Sequence, residues 1–465
     1  MKSSEDTSGS VNYLPLTLVV GGVQMMMTVD LVAMGVLLPS IGQDFAVSAI
    51  TLSRLVSFPA LVIASMMLIG GRLADIFGRR TSVSVGLAIA ASGSLIAGFA
   101  PSFAVLLLGR LIFGLGAAIM IPANFSIITT AIPDGPPRHR AFGVFGMVQG
   151  LSLLVGPGLE GWLATHLGWR SAFLLTALLM ATLLLFVRLI FPGGRPAVGQ
   201  RFDFAGAALV VAALVALVTA ISGGSGLVEG AVPRLILGGT GLVLAMLFIR
   251  SQRRANSPLL PLDAFSYSGV KPAIIAMMAA MAASSALFIL PGMVMQRGMH
   301  WSAAQAGLGM LPHALSATVM GQLTGWFMGR FALSRNVQIG LALLIGGLFA
   351  NGFMSAGHGY PGNVMLPMLL GAAGSIFTVM MLTAVIVGPQ PSHQQGAVSA
   401  LAFTCQQLGI ALGSVMVLAI GGSGGDPFVS LNRAFWAAAG IALCGLLAVL
   451  WPFVPDGDSP MQSSK

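Results

Sequence analysis

The sequence predicts an all-α integral membrane protein with fourteen spans, from its composition, the length of its apolar runs and the placement of its positive charges. Hydrophobic residues make up 56% of the 465 residues, and charged residues only 8%. Soluble domains carry about 25% charged residues, so this chain lacks the polar groups that cover a surface in water. Lipid is the solvent that suits it.

Fourteen apolar runs are long enough to cross the hydrocarbon core, for which a helix needs about 20 residues. Backbone polar groups must be satisfied internally in lipid, so the runs form helices or a closed barrel. They lack the alternation of barrel strands, which excludes a barrel. The predicted spans are 13–39, 50–70, 81–100, 103–124, 141–165, 169–192, 203–222, 232–250, 270–295, 303–327, 336–356, 364–388, 396–420 and 432–453.

The positive charges orient these spans. With the N-terminus inside, 16 of the 22 Lys and Arg residues fall in cytoplasmic segments, five fall outside, and Arg110 lies within a span. Cytoplasmic loops carry an excess of Lys and Arg, so we expect both termini in the cytoplasm, in the plasma membrane (the inner membrane of a bacterium).

The remaining composition excludes several other functions. The net charge of +9 does not indicate nucleic-acid binding, because the basic residues lie between apolar runs. Cys405 and Cys444 lie inside apolar runs and predict neither a disulfide nor a metal site. The chain has no phosphate-binding loop ending in Gly-Lys-Ser/Thr, and its six histidines are scattered. We expect no metal, no cofactor and no enzyme activity.

Three charged residues lie deep within predicted spans: Asp30, Arg110 and Glu160. A charge near the middle of a membrane helix costs roughly 2.5–3.5 kcal/mol or more, so a chain so poor in charge is expected to use these residues. At about 1.5 Å per residue, all three fall in the outer half of the membrane. The sequence therefore predicts one cluster of two carboxyl groups and one guanidinium.

Several motifs accompany these charges. The segment between the second and third spans reads GGRLADIFGRR, from Gly70 to Arg80, and the segment from Gly329 to Arg335 is a degraded echo of it. The fourth span has Arg110 followed by spaced small residues, and the fifth contains Gly156-Pro157-Gly158-Leu159-Glu160-Gly161. With Asp30 in the first span, these motifs resemble those of the major facilitator superfamily, in its fourteen-span drug:proton antiporter branch.

This resemblance implies two six-helix bundles around a central cavity, at 13–192 and 258–453, with two extra helices in a linker at 193–257 and cytoplasmic tails at 1–12 and 454–465. It also implies a monomer, with a conformational latch between the two bundles. The latch residues are Gly71, Arg72, Asp75, Gly78, Arg79 and Arg80. The antiporter motif of the fifth span comprises Gly156, Pro157 and Gly161, although Ser152 and Glu160 stand where that family usually has glycine.

The expected function is proton-driven export of small lipophilic molecules, such as drugs or antibiotics, by alternating access. Burial favours the protonated form of a carboxyl group, whereas a nearby guanidinium favours the ionised form. Asp30 is the predicted proton carrier, Arg110 its partner and Glu160 a second candidate; the alternative is a fixed ion pair beside a protonated Glu160. A dedicated exporter, or a proton-coupled importer, of one metabolite is the alternative function.

Five further residues are candidates for contact with the substrate. Met residues suit a pocket for varied apolar ligands, histidine changes charge near physiological pH, and glutamine donates and accepts hydrogen bonds. The alternatives are ordinary packing for the methionines and helix–helix hydrogen bonds for the polar residues. The candidates are Met26, Met27, Gln149, His313 and Gln406.

Overall fold

In the computed structural model, helices follow the predicted spans, which confirms the all-α prediction. The part of the chain that the structure describes contains no strand. It comprises residues 13–133, 136–192, 203–222, 230–255, 259, 262–267, 269–355, 359–390, 395–422 and 426–450. Both predicted tails, at 1–12 and 454–465, lie outside the described residues.

Helices of the first half come before a pair of linker helices and the helices of the second half. The first half contains α1 Leu14–Phe45, α2 Ala49–Phe77, α3 Arg79–Gly98, α4 Phe103–Ala131, α5 Pro136–His166 and α6 Trp169–Ile190. The linker pair is α7 Phe204–Ser222 and α8 Ala231–Gln252. The second half contains α9 Val270–Met293, α10 Ala303–Gly309, α11 Leu311–Arg330, α12 Leu333–Asn351, α13 Leu366–Val387, α14 Gln395–Gly421 and α15 Pro427–Leu450.

Eleven helices among the described residues are long and apolar enough to cross a membrane. The fourteen predicted spans are these together with α5, α7 and the α10–α11 pair. The bundle exposes large apolar side chains, among them Leu189, Leu235 and Met246. An apolar exterior of this kind is compatible with acyl chains rather than with water.

The tenth predicted span, 303–327, is not one continuous helix. It breaks at Met310, where the amide donates to the Gly307 carbonyl at 3.1 Å instead of continuing the α-helical pattern. Pro312 has no N–H, so the Leu308 carbonyl loses the donor that an unbroken helix would supply. As a result α10 and α11 are separate elements, and α10 packs mainly against α5 of the first half.

The two halves meet mainly along α2 and α14, α1 and α9, and α5 and α10. Helix α7 lies against α2 and α14, and α8 packs on α7. We call the end of the bundle at which α1 finishes and α2 begins the outer end, because the Lys and Arg distribution predicts it to face away from the cytoplasm. The opposite end, which contains the turn between α2 and α3, is the inner end.

Candidate functional site

A cavity of about 700 Å³ lies between the two halves. The first half contributes α1, α2, α4 and α5 to its wall, and the second half contributes α9, α11, α13 and α14. The volume is in the range that holds a drug-sized ligand. Most of the wall is apolar, and it includes the five methionines Met27, Met34, Met67, Met281 and Met380.

Asp30 and Arg110 form a buried ion pair in the cavity wall. Arg110 donates from both terminal nitrogens to the Asp30 carboxylate, and the bond from Nη2 to Oδ2 is 2.9 Å long. The side chain of Asp30 is 11% exposed and that of Arg110 is 4% exposed. The structure thus brings together two of the three predicted charges in a bidentate pair, the geometry that matches a guanidinium to a carboxylate.

Three further contacts hold the Arg110 guanidinium. Its Nε donates to the Leu55 carbonyl of α2 at 3.2 Å. Its centre lies 5.0 Å from the Phe113 ring centroid and 5.8 Å from that of Phe173 on α6. A cation within about 6 Å of a ring face is attracted to it. Arg110 therefore ties α4 to α1, α2 and α6, and movement of any of them changes its surroundings.

Glu160 lies near this pair but not in the cavity wall. It is 5% exposed, lies beside the Thr176 hydroxyl of α6, and is close enough to interact electrostatically with both Asp30 and Arg110. It is not among the residues that line the cavity. The three predicted charges are therefore neighbours, although only Asp30 and Arg110 are in direct contact with each other and with the cavity.

Four of the five predicted substrate contacts line the cavity: Met27, Gln149, His313 and Gln406. Met26 does not, and its prediction as a lining residue is wrong. It packs into the hydrophobic cluster of the first half at 6% exposure, because adjacent residues point about 100° apart around a helix. Met27 faces the cavity in its place.

Sequence reasoning missed Thr28, which also lines the cavity. Its hydroxyl donates to Gln149 Oε1 at 2.9 Å, and Gln149 Nε2 donates to the Gly21 carbonyl at 3.3 Å. These bonds join α1 to α5. The spacing of Gln24 and Thr28, four residues apart on one helical face, was the signal that could have identified this polar strip.

Close packing between the halves closes the cavity at the outer end. The Gln296 side chain donates to the Val36 carbonyl at 2.9 Å, and the Ala304 amide donates to Thr165 Oγ1 at 2.9 Å. Two residues of the fifth-span motif take part, because Gly161 packs on the Ala303 carbonyl of α10 and the Pro157 carbonyl packs on Gly307. Neither Gly161 nor Gly307 has room for a side chain. Gly156 packs on Val29 of α1.

Towards the inner end, α5 and α11 leave space beside their glycines. A methyl group added to Gly143 or Gly146 of α5, or to Gly321 of α11, would have no described atom within 4 Å. All three glycines line the cavity. The described contacts between the halves therefore close the cavity at the outer end, and its wall continues towards the inner end.

The predicted latch residues lie at the inner end, where α2 turns into α3. Gly78 forms this turn with φ +87°, a conformation that favours glycine. Arg80 donates to the Arg188 carbonyl in the last turn of α6, where a cation complements the helix dipole. Gly71 faces Pro122 of α4, and Arg72 and Arg79 are half-buried. The side chain of Asp75 lies outside the described part.

Curated relatives match most of the chain. It is 33% identical over 429 residues to the cephamycin export protein CmcT of Amycolatopsis lactamdurans, which covers 90% of this chain and 88% of the relative. It is 28% identical over 400 residues to the multidrug resistance protein Stp of Mycobacterium tuberculosis, covering 86% of this chain and 74% of that protein. The puromycin resistance protein pur8 of Streptomyces alboniger is 27% identical over 403 residues, with 85% and 79% covered.

Solved structures share the fold. A crystal structure of a POT family transporter superposes with a TM-score of 0.71 at 16% identity, covering 93% of this chain and 95% of that one. A crystal structure of a D-xylose-proton symporter gives a TM-score of 0.65 at 15% identity, covering 95% and 98%. The family model described as Major Facilitator Superfamily matches residues 20–414. The chain therefore belongs to the major facilitator superfamily of transporters.

Proposed function

We propose that this protein exports small, mostly lipophilic molecules, such as drugs or antibiotics, in exchange for protons. The observation that carries the proposal is the buried Asp30–Arg110 pair in the wall of a blind central cavity. Relatives named for cephamycin export, multidrug resistance and puromycin resistance support the export of such compounds.

The exchange reaction follows from the chemistry of the pair. While Asp30 is ionised, it holds the Arg110 guanidinium by two hydrogen bonds. A proton on Asp30 removes the charge that attracts Arg110 and weakens these bonds. Because Arg110 also contacts α2 and α6, its release alters the packing of the first half. Proton binding is thereby coupled to a change of shape.

Alternating access gives this coupling a direction. In this proposal both termini and the inner end lie in the cytoplasm, and the state that is closed at the outer end is the one that accepts substrate. Substrate enters from the cytoplasm. Opening of the α5–α10 and α1–α9 contacts, together with closure around the latch segment, then exposes it to the outside. A proton taken up outside by Asp30 returns to the cytoplasm. In this proposal the protein acts as a monomer in the bacterial inner membrane, and Glu160 serves as a second proton-binding group.

A second candidate is dedicated export of one compound, which the relative named as a cephamycin export protein favours. The two candidates share a mechanism and differ in selectivity. Competition by a panel of unrelated antibiotics separates them, because a dedicated exporter is inhibited by one chemical family only.

Transport by reconstituted protein tests the main proposal. Proteoliposomes with an acidic lumen and radiolabelled chloramphenicol, an uncharged antibiotic, outside report exchange, because protons that leave drive chloramphenicol inwards. We expect wild-type uptake to rise at least about tenfold with the pH gradient, because a tenfold accumulation needs only about 1.4 kcal/mol of driving force. We expect uptake by Asp30→Asn to be independent of the gradient. Wild-type uptake that ignores the gradient contradicts antiport.

The matched control is Asp44→Asn. Asp44 also lies on α1 and pairs with an arginine, Arg170, but outside the cavity. We expect this variant to transport like the wild type. Normal coupling in Asp30→Asn would remove the assignment of Asp30 as the proton carrier.

A further inference from the structure

The cavity wall contains no unpaired formal charge among its described residues. Its only fully charged side chains are Asp30 and Arg110, which neutralise each other. Glu160, which could have supplied a second negative charge, lies outside the wall. A substrate with a net charge would enter this largely apolar space without a counter-charge, and burial of an unpaired charge is costly.

Two polar side chains in the wall have a buried atom without a described hydrogen bond, Gln24 on the first half and His313 on the second. In the first half, Thr28 donates to Gln149 and Gln149 to Gly21, so Gln24 Oε1 is the buried atom there that no described donor reaches. In the second half, Ser375 and Ser284 bond to each other at 2.7 Å. His313 is only 3% exposed, yet its Nδ1 is buried without a hydrogen bond. A buried polar atom in this state costs about 1–3 kcal/mol, and such atoms are exceptional in folded proteins.

His313 lies at the blind end of the cavity, across from the ion pair. It sits in the first turn of α11, next to the break at Met310, and its ring centroid is 5.3 Å from that of Phe288 on α9. The Phe288 carbonyl packs on Gly35 of α1, at the contact that closes the cavity. Asp30 lies five residues before Gly35, about 7.5 Å along the helix. A ligand at the blind end therefore meets Asp30 and Arg110 on one half and His313 on the other.

We propose that His313 is the polar anchor for the substrate on the second half, and that the substrate carries no net charge. The substrate class is an amphipathic molecule with a hydroxyl or amide group that hydrogen-bonds to the imidazole. Its apolar part packs on Phe288 and on the methionines of the wall. This inference deepens the proposed export function and rests on it.

The direction of exchange supports an anchor away from the ion pair. An anionic substrate that bound Arg110 would compete with the Asp30 carboxylate, so protonation of Asp30 would favour its binding. Proton and substrate would then travel together, which is the opposite of antiport. A neutral substrate held by His313 leaves the Asp30–Arg110 pair intact until the proton arrives.

Three dansyl dyes of one skeleton test the proposal. The first is a neutral sulfonamide with a hydroxyalkyl tail, the second is its fully methylated analogue without donors, and the third has a trimethylammonium tail. Binding to purified protein in lipid nanodiscs is followed by dansyl fluorescence, for wild type, His313→Leu and His313→Gln. The matched control is His166→Leu, because His166 is an exposed histidine at the end of α5, outside the cavity.

We expect the wild type to bind the hydroxyalkyl dye about tenfold more tightly than the cationic dye. His313→Leu should weaken binding of the hydroxyalkyl dye about tenfold and of the methylated dye less than about threefold, the pattern of one lost hydrogen bond. His313→Gln, which keeps a donor and an acceptor, should stay within about threefold of wild type, and His166→Leu should not change binding. Tighter binding of the cationic dye, or unchanged binding in His313→Leu, overturns the proposal.

The same dyes separate this inference from the proposed function. Uptake of the hydroxyalkyl dye into acid-loaded proteoliposomes reports antiport, whereas nanodisc binding reports the anchor. Selective loss of binding in His313→Leu together with gradient-independent uptake would retain the anchor and contradict antiport. Gradient-driven uptake together with unchanged binding in His313→Leu would support antiport and contradict the assignment of His313 as the anchor.

Discussion

Helix α1 carries two aspartates, and each pairs with an arginine of another helix in the first half. Asp30 pairs with Arg110 of α4 inside the cavity wall, where the side chains are 11% and 4% exposed. Asp44 pairs with Arg170 of α6 at the outer end, at 2.8 Å, where the side chains are 43% and 41% exposed. The same two residue types therefore form a buried pair and an exposed pair on one helix, within four helical turns of each other.

The difference shows how burial turns an ordinary ion pair into a candidate switch. An exposed pair is surrounded by water, so either partner can be lost at a cost of at most about 1 kcal/mol. A buried pair has no water to replace a lost partner, so breaking it costs several kcal/mol unless the carboxyl group binds a proton. Protonation of Asp30 thus lowers the free energy needed to separate it from Arg110, whereas Asp44 and Arg170 separate at little cost without a proton.

The largest effect is expected for Arg110→Ala. It leaves the Asp30 carboxyl group buried without its partner and removes the bond to the Leu55 carbonyl, so we expect a loss of about 3–5 kcal/mol of stability and of all gradient-driven transport. Thermal unfolding in detergent measures the first effect. The double variant Asp30→Asn/Arg110→Gln should regain part of the stability but not the transport. A melting temperature of Arg110→Ala equal to that of wild type would contradict this account.

An intermediate effect is expected for Glu160→Gln. Glutamine has the same shape and can still contact the Thr176 hydroxyl, so the fold should persist while the proposed second proton-binding group is lost. We expect gradient-driven chloramphenicol uptake to fall by less than about tenfold, a smaller loss than in Asp30→Asn. Thr176→Val, which removes only the neighbouring hydroxyl, is the control for packing. Uptake equal to wild type in Glu160→Gln would assign Glu160 a structural role.

The smallest effect is expected for the exposed pair. Asp44→Asn removes a carboxylate that accepts from Arg170 and, at 3.1 Å, from Trp169 Nε1. Because both partners remain solvated, the stability should change by less than about 1 kcal/mol, and high salt should leave the wild type almost unaffected. Thermal unfolding at low and high salt measures both. A loss as large as that of Arg110→Ala would mean that burial is not what distinguishes the two pairs.

The buried pair could be predicted from the sequence because Asp30 and Arg110 are charged residues within apolar spans. A charge in such a span has few possible partners other than an opposite charge in another span. The same reasoning could not separate Glu160 from the cavity wall, because depth along a helix does not specify direction around it. Met26 and Met27 show this limit most clearly: both are equally apolar and equally deep, yet only Met27 lines the cavity. The break at Met310 was also missed, although Gly309 and Pro312 beside it were visible in the sequence.

The sequence by itself determined where the apolar spans lie and which of them carry charge, because these depend on local hydrophobicity. Tertiary structure alone decided which side chains face the cavity, that no described residue bonds to His313 Nδ1 and that the outer end is the closed one. The physical reason is the solvent. Lipid and protein interior are similarly apolar, so a membrane helix lacks the polar–apolar stripe that tells the two faces of a soluble helix apart.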